Sequence, residues 1–146
     1  MYRLELKNLS FPYCVSINSR FINEESTVTT YKPADITVTL AHELGHYLGL
    51  HHVFSETERG NSCEDTDYCT DTPTYNKEAY DMNYAYIAAN EPENFTFANL
   101  VNRENCLTGE SFVSHNIMDY AISHSDQFTP EQRARIRHVL LYSPLI

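Results

Sequence analysis

Residues 39–52 read TLAHELGHYLGLHH, and four histidines with one glutamate in so short a span point first to metal chemistry. His42 and His46 lie four residues apart, so on a helix they project from one face, where two imidazoles can meet a single ion. Glu43 is offset by one residue, too far round to be a third ligand from the same turn, and is placed to reach a water beside the metal. The third ligand has to come from outside the helix. Gly49 explains how it arrives, because glycine can adopt the left-handed conformation that ends a helix and turns the chain back. His52 follows three residues later. His51 is one residue off that register and reads as a supporting or surface group. Three neutral imidazoles leave zinc one open position, the requirement for a catalytic rather than a structural site. An amphipathic helix with solvated histidines is the bland alternative for a bare His-Glu-x-x-His, and the extended pattern fixes further positions.

The helix that must carry this pattern is visible in Ile36, Leu40, Leu44 and Leu48, which recur every four residues with Tyr47 beside them and form one apolar stripe. Pro33 suits a first helical turn and Gly49 supplies the stop, so the helix is expected from about residue 34 to 48. Upstream, YCVSIN (13–18) reads as a strand and STVTTY (26–31) as a weaker strand or extended loop. Loops dominate residues 53–110 apart from KEAYDMNYAYIAAN (77–90), which reads as helical. In TPEQRARIRHVLLY (129–142), Thr129 is an N-cap, Pro130 takes the first position and Gln132 completes a capping box. Ile136, Val139 and Leu140 are the expected buried face.

A chain of 146 residues fits one domain. Twenty acidic residues against ten basic ones give a net charge of −10, which argues against nucleic acid or an anionic membrane as partner. No run approaches the roughly 20 apolar residues of a membrane span. The first residues lack the regions of a signal peptide, so an exported form has already lost its signal. Cys14, Cys63, Cys69 and Cys106 include no CxxC pair, which leaves up to two disulfides in an oxidising compartment, or reduced core thiols.

SHNIMDY (114–120) places Met118 and Tyr120 downstream of the histidines. The spacing His42-Glu43-x-x-His46-x-x-Gly49-x-x-His52 is the elongated metzincin zinc signature. Together with DTDYCTDTPTYN and HNIMDY it makes the chain resemble the pappalysin family of metzincin peptidases over residues 36–138. The resemblance implies an α+β, metzincin-like zincin catalytic domain with an active-site helix, a methionine turn and a C-terminal helix. It implies zinc held by His42, His46 and His52, Glu43 as general base, and Tyr120 near the metal as an oxyanion donor. Met118 would pack beneath the imidazoles without touching the ion. The resemblance further implies calcium-stabilised loops, with Asp67 and Thr72 as calcium candidates, and a Cys63–Cys106 disulfide, leaving Cys14 and Cys69 as a remainder. An Asp-rich solvated loop is the alternative for that segment.

Two departures from the family stand out. Metzincins place a twisted sheet and two helices before the active-site helix, and only 41 residues precede His42. The N-terminal sheet is therefore expected to be abbreviated or truncated, with residues 1–146 a single catalytic domain forming the C-terminal part of a longer secreted, periplasmic or cell-surface precursor. Ala121, Ile122 and Ser123 stand where relatives that cut before Arg or Lys carry a carboxylate, and Asp126 is the nearest substitute. The expected activity is endopeptidase hydrolysis of a protein or peptide substrate. A non-catalytic zinc-binding or interaction module and a metzincin-like aminopeptidase are the rivals.

Overall fold

The computed structural model describes residues 36–56 and 63–143, with Val15. Apart from Val15, the strand expected at 13–18 lies outside the described residues, as do that expected at 26–31, Pro33 and Cys14.

Helix α1 (Ile36–Tyr47) ends as its glycine requires. Gly49 has φ +86°, the Gly49 amide donates to the His46 carbonyl at 2.9 Å, and the Leu50 amide donates to the Gly45 carbonyl at 2.9 Å. This pair of bonds is a Schellman cap, and it reverses the chain so that His52 comes back toward the helix. The expected apolar stripe does not face the core: Leu40 and Leu44 are 39% and 40% exposed, and Gly45 is the buried residue of α1. The helix packs through its small residue, because that is where another segment approaches.

Downstream, α2 (Lys77–Asn90) matches the expected helix, with the Asn76 side chain accepting from the Ala79 amide at 2.9 Å. No residue of α2 is buried; Tyr80 reaches back to the Leu100 carbonyl at 2.8 Å. A 3-10 turn (Pro92–Asn94) and α3 (Phe97–Leu100) lead into a two-stranded antiparallel sheet, β1 (Asn102–Glu104) with β2 (Ser111–Val113), in register Arg103 opposite Phe112.

Helix α4 (Pro130–Tyr142) has the expected capping box between Thr129 and Gln132. Its inward side is the buried Gln132 with the half-buried Ile136 and Val139, spaced as i, i+4, i+7. Leu140, expected on that face, is 49% exposed because it lies about 100° past Val139 on the helix. The core gathers Leu50, Val53, Phe54, Tyr75 and Met118, with Tyr80, Phe112, Phe128 and Ile136 packed against it. Cys63 and Cys106 are joined, tying the acidic loop to the end of β1. Cys69 is a free, buried thiol pushed up to about 11 by burial. That loop docks on α4: Glu131 accepts from the Thr70 amide (2.6 Å) and hydroxyl (2.7 Å), and the Glu131 amide donates to Asp71 at 3.0 Å.

Candidate metal centre

The Nε2 atoms of His42, His46 and His52 lie 3.1 to 3.2 Å from one another. At hydrogen-bond length these contacts are still not hydrogen bonds, because each ring's other nitrogen holds the proton. His42 Nδ1 donates to the Ile117 carbonyl at 2.8 Å, and His46 Nδ1 donates to the Leu50 carbonyl at 2.9 Å. His52 Nδ1 donates to the Glu56 carboxylate. A carbonyl can only accept, so the neutral tautomer is set and three Nε2 lone pairs face one point. Zinc about 2.0–2.1 Å from each nitrogen in tetrahedral geometry puts the nitrogens roughly 3.3 Å apart, so the donor set fits the ion in type and spacing. Among the described residues this is the one convergence of three His, Cys, Asp or Glu ligand atoms, and it offers no fourth protein ligand.

The turn that carries Ile117 and Met118 lies against α1. Met118 is completely buried, and a Cβ added to Gly45 would sit 2.4 Å from its sulfur. Gly45 is thus what lets the turn lie against α1. The turn is held from below by Asn116, whose Oδ1 accepts from the Met118 amide at 2.8 Å and whose Nδ2 donates to Gln132 Oε1 at 2.9 Å. From the side it is held by Asp119, which accepts from the Tyr75 hydroxyl at 2.6 Å, from the Ser114 hydroxyl, and from Arg103 at 3.4 Å. The Arg103 and Asp119 side chains are both fully buried. Burial and the neighbouring carboxylate push the Tyr75 hydroxyl far up its scale, so it stays a donor. Sequence reasoning had missed Gly45, Asn116, Asp119, Arg103 and Glu56. Only Gly45, a glycine inside a helical pattern, carried a local signal.

Glu43 is half-buried and makes no hydrogen bond or ion pair among the described residues. Tyr120 is 70% exposed, and its ring centroid lies 5.7 Å from that of His52 and 6.4 Å from that of His42. Lys77 Nζ sits 5.7 Å from the same ring. His51 is not part of the cluster; its Nδ1 lies 3.7 Å from the other oxygen of the Glu56 carboxylate. Asp126 pairs with His115 at 3.1 Å and borders a cleft of about 500 Å³ shared with Ile117 and Arg133. Asp67 and Thr72, the calcium candidates, bond each other: the Thr72 hydroxyl donates to Asp67 Oδ2 at 2.7 Å, and the Cys69 amide donates to Oδ1 at 2.8 Å. Burial nevertheless raises the Asp67 carboxyl to about 6.

Comparison with known proteins agrees with this centre. An extracellular metalloprotease of Arthroderma benhamiae is 36% identical over 99 residues, covering 67% of this chain and 29% of the relative. One from Arthroderma otae is 35% identical over the same shares, and extracellular metalloprotease 1 of Coccidioides posadasii is 30% identical over 71% of this chain and 30% of its own length. The chain thus spans under a third of the length of these curated relatives. No solved structure matches it significantly. The family model described as Pregnancy-associated plasma protein-A, a peptidase family, matches residues 13–141, and the chain belongs to this pappalysin family of metallopeptidases.

Proposed function

We propose that the chain carries the catalytic centre of a secreted zinc endopeptidase. The observation that supports this best is the meeting of three deprotonated imidazole nitrogens with no fourth protein ligand among the described residues, which leaves room for water and a substrate carbonyl. Zinc, when bound there, supplies a Lewis acid that acidifies water and polarises a peptide carbonyl. His42, His46 and His52 would hold it, each oriented through its Nδ1–H. Glu43, whose carboxylate has no partner among the described residues and which follows His42 in sequence, takes the proton of the attacking water and returns it to the leaving amine. The Tyr120 hydroxyl, which has no partner among the described residues and whose ring stands edge-on to His52, donates to the developing oxyanion. The buried Met118, packed against Gly45, holds the turn whose Ile117 carbonyl orients His42. Secretion is supported by the extracellular relatives, and a calcium role for Asp67 and Thr72 by the family resemblance.

The test uses the full-length protein. Metal analysis should find one zinc per chain, lost with His52→Ala and kept with His51→Ala. Glu43→Gln should keep zinc and fold while hydrolysis of end-blocked peptides drops by about 10² to 10⁴. Undiminished hydrolysis by Glu43→Gln would sink the base assignment. A wild type that binds zinc but cuts nothing would favour a non-catalytic module, and one that cuts only peptides with a free amino end would favour an aminopeptidase.

A further inference from the structure

The three imidazoles are not held alike. His42 and His46 give their Nδ1–H to neutral backbone carbonyls, whereas His52 gives its own to a carboxylate, that of Glu56. His52 is also the one histidine of the three outside α1, on an irregular segment with no helix to fix its ring. Two contacts do that work. The ring stacks on Phe54 at 4.7 Å and 12°, and Glu56 grips its Nδ1 edge. Glu56 is itself braced: its amide donates to the Thr66 hydroxyl at 2.9 Å, and that hydroxyl donates to the Phe54 carbonyl at 3.3 Å. Nδ1 and Nε2 lie on different edges of the ring, so a carboxylate bound at Nδ1 stands behind the ligand and leaves the open side of the centre free.

A carboxylate on the far nitrogen fixes the tautomer and makes the ligating nitrogen a stronger base. We propose that Glu56 is a positioning residue that sets the metal affinity of the centre through His52, the single anionic brace among three outward bonds. This rests on the metal-site reading above. Partners of this kind are worth about 10- to 100-fold in metal affinity.

The experiment titrates metal-free protein with zinc against a chromophoric chelator and follows thermal unfolding of the same metal-free samples. Wild type should bind one zinc. Glu56→Ala should bind about 10- to 100-fold more weakly, and Glu56→Gln should recover part of the loss, because its amide oxygen still accepts the Nδ1–H but brings no charge. The metal-free variants should unfold within about a degree of wild type, and Glu93→Ala, an exposed carboxylate on the 3-10 turn, should leave affinity unchanged. If wild type binds zinc and Glu56→Ala binds it equally well, the Glu56 role is overturned and the metal site stands. If Glu56→Ala is destabilised without metal and Glu56→Gln recovers no affinity, Glu56 braces the loop only, and the proposal is again overturned. If wild type binds no zinc, it is the metal-site reading that fails.

Discussion

Gly45 offers the sharpest test of the packing that supports the centre. Replacing a glycine inside a helix by alanine ordinarily stabilises by about 1 kcal/mol, through propensity and the lost freedom of the unfolded chain. Here the added Cβ would lie 2.4 Å from Met118 Sδ, 3.3 Å from its Cε and 3.5 Å from Leu50 Cδ1. Met118 is completely buried and cannot swing into solvent, so it must leave its rotamer or push the turn away from α1. Overpacking of this sort costs about 1–3 kcal/mol. The two effects oppose, and Gly45→Ala should come out destabilised by roughly 1 kcal/mol, or about 3–5 °C in Tm for a chain of this size. The double variant with Met118→Ala should be less than additive, because the partner of the clash is gone. Displacement of the turn should also show at the metal, since the Ile117 carbonyl beside Met118 orients His42. Calorimetry and zinc titration of the single and double variants supply the readouts. A Gly45→Ala protein about 1 kcal/mol more stable than wild type would refute the close approach of the turn to the helix.

Two further outcomes are expected. Tyr120→Phe should lower kcat by about 10- to 1,000-fold while Tm holds, since its hydroxyl makes no bond among the described residues and its ring is 70% exposed; unchanged turnover removes it from the catalytic list. Asp67 titrates near 6 when folded against 3.8 otherwise, so the stability it lends is complete below about 4 and is lost as pH rises through 6; in chelator, the Tm difference between wild type and Asp67→Asn should therefore fall across that window, and a rising difference would contradict the buried neutral acid. Added calcium that raises the Tm of wild type at pH 7 and not that of Asp67→Asn would support the calcium reading.

What could be read from the sequence followed from how local the interactions are. The triad's spacing, the Gly49 stop and the Thr129 cap all lie within a few residues, and each is set by backbone geometry that a short motif specifies. The Cys63–Cys106 bond joins residues 43 apart and came from family resemblance alone. The β1–β2 hairpin escaped notice because three-residue strands are too short to show alternation. Arg103 and Asp119 escaped because a buried ion pair 16 residues apart has no periodic signature and each residue reads alone as surface charge. The leucine stripe of α1 misled, since periodicity marks an apolar face without saying that the described core lies under it.

The centre is therefore built in two layers of different reach. The Nε2 atoms are brought together by the helix and its cap, and six contiguous residues, Gly45 to Leu50, contain every bond that makes the reversal. The orientation of His42 comes from elsewhere: Ile117 is 75 residues away, and Asn116 and Asp119 clamp the turn that carries its carbonyl. Asp119 in turn depends on Arg103, whose guanidinium also donates to the Leu100 and Ile122 carbonyls at 2.5 Å and lies 3.8 Å over the Tyr80 ring. Removing one member of such a buried pair strands the other's charge, at a cost of about 3–5 kcal/mol, far more than a surface pair is worth. Damage there would reach the histidines through a displaced carbonyl and not through any lost ligand, which is why residues with no metal-binding chemistry belong to the metal site.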